Sequence, residues 1–177
     1  MTSKIDHLII GSPNLEQGIK WVESRLGIAP VFGGVHAGFG THNALLGLGD
    51  AYLEVLSPDP EQSGANSQLL ALVRSLSEPE LVTVVIAKEN LNNPFSMSRV
   101  RADGVVLNWE LEFTSTPLFF IDWKNSPRPS GLPDGGAITS LKVTTPEPSH
   151  LDGIENATVQ KGPNWSIEAS IDGELLK

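Results

Sequence analysis

The sequence predicts an α+β fold dominated by short strands. Short apolar runs rich in β-branched residues recur along the 177 residues. Only two stretches, near 15–26 and 69–76, space their apolar residues as helices do. The 17 glycines and 13 prolines imply many turns between the strands. With 40% hydrophobic and 19% charged residues the chain can build a core, so bulk disorder is excluded. Its length fits one domain, or one domain made of two similar halves.

Residues 4–10, KIDHLII, read as a strand, and GSPN at 11–14 breaks it. Ser12 or Asn14 can cap the following helix by accepting from its free N–H groups. Leu15, Ile19, Val22 and Leu26 form the apolar stripe of that helix, and Gly27 suits its C-terminal cap. Short strands follow at 29–35 and at THNALLGL, joined by a glycine-rich loop. Gly49-Asp50 reads as a tight turn into the strand AYLEVL at 51–56. The first sixty residues thus run β-α-β-β-β.

Residues 61–66 are a polar linker, and Leu69, Leu72, Val73 and Leu76 mark a second helix. LVTVVIA at 81–87 reads as a strand, whereas 90–103 carries no clear pattern. Strands are expected at 105–113 and 117–123, then a proline- and glycine-rich loop at 124–136. The last strands are placed at 138–145, 156–160 and 165–171, with a turn or short helix at 146–153. Ile5, Leu8 and Pro13 recur as Ile138, Leu141 and Pro146 at one constant offset, a weak echo between the two ends.

Twelve basic against 21 acidic residues give a net charge of −9, which argues against nucleic acid as a partner. The absence of cysteine excludes a disulfide scaffold, a thiolate nucleophile and cysteine-ligated metal sites. The apolar run at the N-terminus is interrupted by Asp6 and His7, unlike a signal peptide, and no stretch has the length of a membrane span. A cytoplasmic protein with no membrane partner is expected. A G-x-S-x-G elbow, a Walker A loop, H-E-x-x-H and a dinucleotide fingerprint are all missing from the chain.

Alternation places Ile5, His7 and Ile9 on one face of the first strand and Asp6, Leu8 and Ile10 on the other. Tyr52, Glu54 and Leu56 share a face in the fourth element, opposite Leu53 and Val55. The helix at 14–26 is expected on Leu8, Ile10, Leu53 and Val55, which leaves His7 and Glu54 together on the far side. A mid-strand carboxylate among apolar residues is costly unless it is paired or bound to metal. A His and a Glu on one face are common ligands for a divalent metal, and equally a simple hydrogen-bonded pair.

The DH pair on the first strand, the β-α-β-β-β order, GGVHAGFGTHN and AYLEVLSPD resemble the glyoxalase-like domain. That domain belongs to the vicinal oxygen chelate superfamily of glyoxalase I, bleomycin- and fosfomycin-resistance proteins and extradiol dioxygenases. The resemblance is good over residues 4–60 and looser beyond. It implies paired βαβββ modules, with curved mixed sheets around a central cavity and helices outside. Residues 1–177 would form one such domain: a first module at 1–60, a linker and helix at 61–79, and a divergent second half at 80–177. Pairing of modules could close the cavity within the chain or across a homodimer.

The resemblance further implies a divalent metal (Zn, Mn, Fe, Ni or Mg) held by His7 and Glu54. The second half departs from the pattern. Thr83 and Val84 are poor ligands, and Ser140 stands where His7 would align. Glu110 or Glu112, Asp122 or Glu168 could compensate, although each sits on the polar face of its strand. His42 is a candidate third ligand or general base if its face, shared with Ala44 and Leu46, meets the cavity. His36 in the glycine-rich loop, Tyr52 beside Glu54, and Arg128 in SPRPSG are candidate substrate contacts, Arg128 as a carboxylate or phosphate clamp. Two functions follow. One is a metal-dependent lyase, isomerase or dioxygenase acting on a small oxygen-rich or carbonyl substrate. The other is a metal-free protein that binds or sequesters a small molecule in the same cup.

Overall fold

A computed structural model describes residues 4–101 and 103–177. The chain runs β1 (Lys4–Gly11), α1 (Leu15–Leu26), β2 (Val31–His36), β3 (Thr41–Leu48), β4 (Ala51–Pro58), α2 (Gln68–Val73), β5 (Glu80–Ala87), β6 (Phe95–Val100), β7 (Val106–Phe113), β8 (Phe119–Asp122), β9 (Ile138–Thr145), β10 (Ala157–Lys161), β11 (Ser166–Ile171) and β12 (Glu174–Leu176). Short 3-10 turns lie at Pro60–Gln62 and Pro148–Leu151.

Eight strands form one mixed sheet in the order β2-β3-β4-β1-β5-β8-β7-β6. β1 pairs parallel with β4, and β5 pairs parallel with β8, so two four-strand sets meet along the antiparallel β1–β5 ladder. The sheet curls until its two edges approach: Arg99 Nη1 on β6 donates to the carbonyl of Gly33 on β2 at 2.9 Å. The result is a nearly closed cup, as the resemblance implies.

The two sets differ on their outer face. In the first, α1 covers Leu8, Ile10 and Val55 with Val22 and its neighbours. Asn14 caps α1 by accepting from the Gln17 N–H at 2.9 Å, and Gly27 ends it at φ 75°. The second set has no helix between β5 and β6. A separate sheet, β10-β9-β11-β12, covers it instead. Leu141, Val143, Ile167, Ala169 and Ile171 of that sheet join one core with Val84, Ile86 and Phe120. Trp165 pins it in place by donating from Nε1 to the carbonyl of Val82 at 3.0 Å.

The echo between 5–14 and 138–147 therefore does not mark a second module. The strand equivalent to β1 in the second set is β5, while β9 lies in the covering sheet. The patternless stretch 90–103 holds β6, whose residues are mostly exposed because it is an edge strand. α2 is a further difference. It is not on the outside: Leu69, Leu70 and Val73 pack with Ile9, Leu56, Val85 and Phe119, which belong to the concave face.

Candidate functional site

The site begins with an irregularity in β1. Ile5 pairs with Ile86 and His7 with Val85, so Asp6 is an extra residue with no partner on β5. Such a bulge breaks strict alternation and lets two successive side chains come together. Asp6 Oδ1 lies 2.8 Å from His7 Nδ1. His7 Nε2 lies 3.2 Å from Glu54 Oε2 on the neighbouring β4. Asp6, His7 and Glu54 are 0%, 4% and 6% exposed.

Burial alone would drive His7 neutral, but its hydrogen bonds to Asp6 and Glu54 outweigh it and push its pKa up to about 9. Burial likewise opposes ionisation of Glu54, yet the His7 and Asn43 contacts hold its pKa down at about 2. Asp6 is also held below its usual range against its own burial, by His7, Arg128 and Trp123. Near neutral pH the three form a carboxylate–imidazolium–carboxylate chain.

Asn43, on the cavity face of β3, donates from Nδ2 to Glu54 Oε1 at 2.7 Å. An ionised Glu54 can only accept, and this fixes the amide with Nδ2 toward it. The same Nδ2 reaches His36 Nε2 at 3.3 Å, so that nitrogen accepts and Nδ1 carries the proton toward Thr41 Oγ1, 2.9 Å away. Burial lowers the His36 pKa, in keeping with a neutral ring. Tyr52 stacks on His7 at 4.5 Å between ring centres.

His7, His36, Asn43, Tyr52 and Glu54 line a partly open space of about 40 Å³. The first four strands supply His7, His36, Asn43 and Glu54, whereas the second set supplies Met97, Trp109, Leu111, Phe119 and Ile121, with Arg99 of β6 as a charged residue among them. Water needs only roughly 10–15 Å³ of such volume, so a few waters or a very small ligand fit without rearrangement.

His7, Glu54, His36 and Tyr52 are thus brought together by β1, β4 and β2. The other sequence candidates are not. His42 is on the outer face of β3 with Ala44 and Leu46, which belong to the core under α1, because the cavity face of that strand falls on Asn43 and Leu45. Arg128 is engaged elsewhere. Its Nε lies 3.0 Å from Asp6 Oδ2, and its Nη1 and Nη2 donate to the carbonyls of Asp50 and Asp6. It ties the 124–136 loop to the end of the cup and is not free to clamp a substrate there.

Glu110 and Asp122 point away from the cavity, since Trp109, Leu111 and Ile121 take the inner positions; both are bridged by Lys124 at 2.7 and 3.0 Å. Glu168 is on β11 in the covering sheet, opposite Lys142. Three cavity-wall or supporting residues escaped the sequence reading. Strict alternation puts Asp6 on the far face, because a bulge leaves no mark in the pattern. Asn43 carries no signal beside His42, and Arg99 lies in the patternless stretch.

The glyoxalase-like domain family matches residues 5–157. The chain belongs to that family. No curated protein sequence matches it. Among solved structures it is similar to a hypothetical protein from Staphylococcus aureus, 15% identical, covering 99% of this chain and 98% of that one at a TM-score of 0.65. It is also similar to a methylmalonyl-CoA epimerase in complex with methylmalonyl-CoA and NH4+, 13% identical, covering 73% and 100% at 0.49. A Mycobacterium tuberculosis methylmalonyl-CoA epimerase is 16% identical, covering 66% and 85% at 0.42. At 15% identity the likeness to the Staphylococcus aureus protein is one of fold.

Vicinal oxygen chelate proteins often use a divalent metal, and this glyoxalase-like chain can be tested for one by its donors. Besides His7 and Glu54 the wall offers His36, whose Nε2 lies 3.9 Å from Glu54 Oε1 but is taken by Asn43 Nδ2. Opposite His7 and Glu54, β5 and β8 offer Val85, Phe119 and Ile121, which have no ligating atom. Both ring nitrogens of His7 already face carboxylates. Among the described residues no three His, Asp or Glu side chains converge as a metal group. The residues do not fit a chelated metal. No helix of the described residues is long and apolar enough to cross a membrane.

Proposed function

We propose that this glyoxalase-like protein binds a small molecule inside the cup without a metal chelate, with the buried His7–Glu54 pair as the polar centre of the site. The observation that carries this reading is the division of the cavity between the hydrogen-bonding side chains of the first four strands and the mostly apolar ones of the second set. Small-molecule sites combine an apolar surround with a few convergent polar groups in this way. The metal-dependent lyase, isomerase or dioxygenase implied by the resemblance would need further ligands from β5 and β8, which put no His, Asp or Glu on the cavity lining.

Trp109 and Trp123 line the cavity with ring centres 5.5 Å apart, so their fluorescence should report occupancy. Protein purified without chelator should carry far less than one metal per chain. A panel of small carbonyl compounds, acids and alcohols should include members that change the tryptophan emission, and the change should shrink in Trp109→Phe and vanish in Trp109→Phe, Trp123→Phe. Stoichiometric Zn, Mn, Fe, Ni or Mg that is lost in a His7→Ala, Glu54→Ala double variant would restore the metal-dependent reading.

A second reading is favoured by the charge state of His7. A protonated His7 keeps the neighbouring Glu54 ionised, and that carboxylate on the cavity wall can act as a general base toward a C–H proton next to a carbonyl. Exchange of a C–H proton next to a carbonyl in D2O, catalysed by the wild type and lost in His7→Gln, would support a metal-free isomerase. No exchange with any carbonyl member of the panel would leave binding alone.

A further inference from the structure

Two residues that line the cavity each carry a buried polar atom with no partner among the described residues, and both residues sit against the same pair of glycines. The first is Asn43 Oδ1. The amide is oriented by the ionised Glu54, so this oxygen is an acceptor, and it is buried without a donor. The second is Arg99 Nε, a cationic donor that is equally buried and unpaired. Among the described residues the Arg99 guanidinium donates only from Nη1 to the carbonyl of Gly33, and no carboxylate forms an ion pair with it.

The strand β2 is shaped to hold both. Its register shifts between Phe32 and Gly34. A Cβ on Gly33 would collide with Asn43 Oδ1. A Cβ on Gly34 would meet Arg99 Nη1 at 2.8 Å and Cδ at 2.9 Å, and its φ of 154° lies at the border of the range that favours glycine. The GG step therefore lets Arg99 reach across the seam from β6 while Asn43 lies flat against β2. The other charges nearby are matched: His7 lies between Asp6 and Glu54, and Asp6 also meets Arg128. Arg99 is left as the uncompensated positive charge of the wall.

An unpaired buried donor or acceptor costs stability, and a charged one costs more. A ligand that supplies both missing partners recovers that cost, whereas one that supplies a single partner recovers part of it. Resting on the small-molecule reading above, we propose that the cavity takes a short hydroxycarboxylate, whose carboxylate accepts from Arg99 and whose hydroxyl donates to Asn43 Oδ1. Glu54 cannot serve the carboxylate, being ionised, and so the anionic end is directed to the Arg99 side of the wall.

Three probes test this by tryptophan fluorescence and by the side-chain amide resonances of Asn43: glycolate, acetate without the hydroxyl, and ethylene glycol without the carboxylate. Glycolate should bind tightest, with acetate and ethylene glycol each weaker by roughly tenfold or more. Arg99→Gln should bring glycolate down to the level of ethylene glycol, and Arg99→Lys should recover part of the loss. The wild-type ranking stands as a test even if Arg99→Gln does not fold, since Arg99 also holds the seam. Equal binding of glycolate and ethylene glycol would overturn the hydroxycarboxylate assignment while leaving the small-molecule reading in place. Failure of all three probes, with a neutral ketone such as acetone still changing the emission, would do the same. Failure of all four would remove both.

Discussion

Raising the pH should unlock the centre of the cup before it harms the rest of the protein. His7 is protonated in the fold because Asp6 and Glu54 flank it, and its pKa is about 9 against 6.5 for an ordinary histidine. A raised pKa contributes stability that is complete below 6.5 and is lost as the pH climbs through 9. The difference corresponds to about 3 kcal/mol, on the scale of about 1.4 kcal/mol per unit. Urea denaturation at pH 6, 7.5, 9 and 10 should show this decline, with its steepest part between 7 and 9. His7→Gln, which cannot titrate, should show little of it. The acid side runs the other way. Glu54, at about 2 in the fold, contributes stability present above its ordinary 4.5 and lost as the pH falls toward 2. Burial also lowers His36, whose contribution fades as the pH drops below 6.5. Stability should therefore peak near pH 6 to 7. An unfolding free energy flat from 6.5 to 9, or an equal slope in His7→Gln, would refute the buried imidazolium.

Two further substitutions test how the outer layers are attached. Gly18 on α1 lies against β4, and an added Cβ would collide with Val55 and come within 2.8 Å of Ser12 Cβ. Gly18→Ala should destabilise by about 1–2 kcal/mol despite a gain in helix propensity of about 1 kcal/mol, which a thermal melt would read as a fall in Tm. A rise in Tm would mean that α1 stands further from the sheet. Leu141 on β9 is fully buried between the covering sheet and the main one. Leu141→Ala should cost about 2–5 kcal/mol by urea denaturation and leave the fluorescence of the cavity tryptophans unchanged in the folded state. A cost below about 1 kcal/mol would show that the covering sheet is only loosely attached.

The first half of the molecule was legible because its signals are local. A side-chain period of two placed His7 with Ile9 and Glu54 with Tyr52, and a period near 3.6 placed α1 on the opposite face. Those two periods determine which side chains share a face without knowledge of any partner strand. What the tertiary structure alone decided lies where that locality ends. A bulge at Asp6 is a mismatch between two strands some seventy-five residues apart, so it swings a carboxylate onto His7 without altering the pattern of either strand. Arg99 belongs to the site only because the curled sheet brings the edge strand β6 against β2. The covering sheet replaces the second helix because the outer face of β5 and β8 needs apolar cover of some kind, and their own alternation does not say which segment supplies it. The inner face of those two strands carries Val85, Phe119 and Ile121, and it was their registration opposite His7 and Glu54 that left the metal site half built.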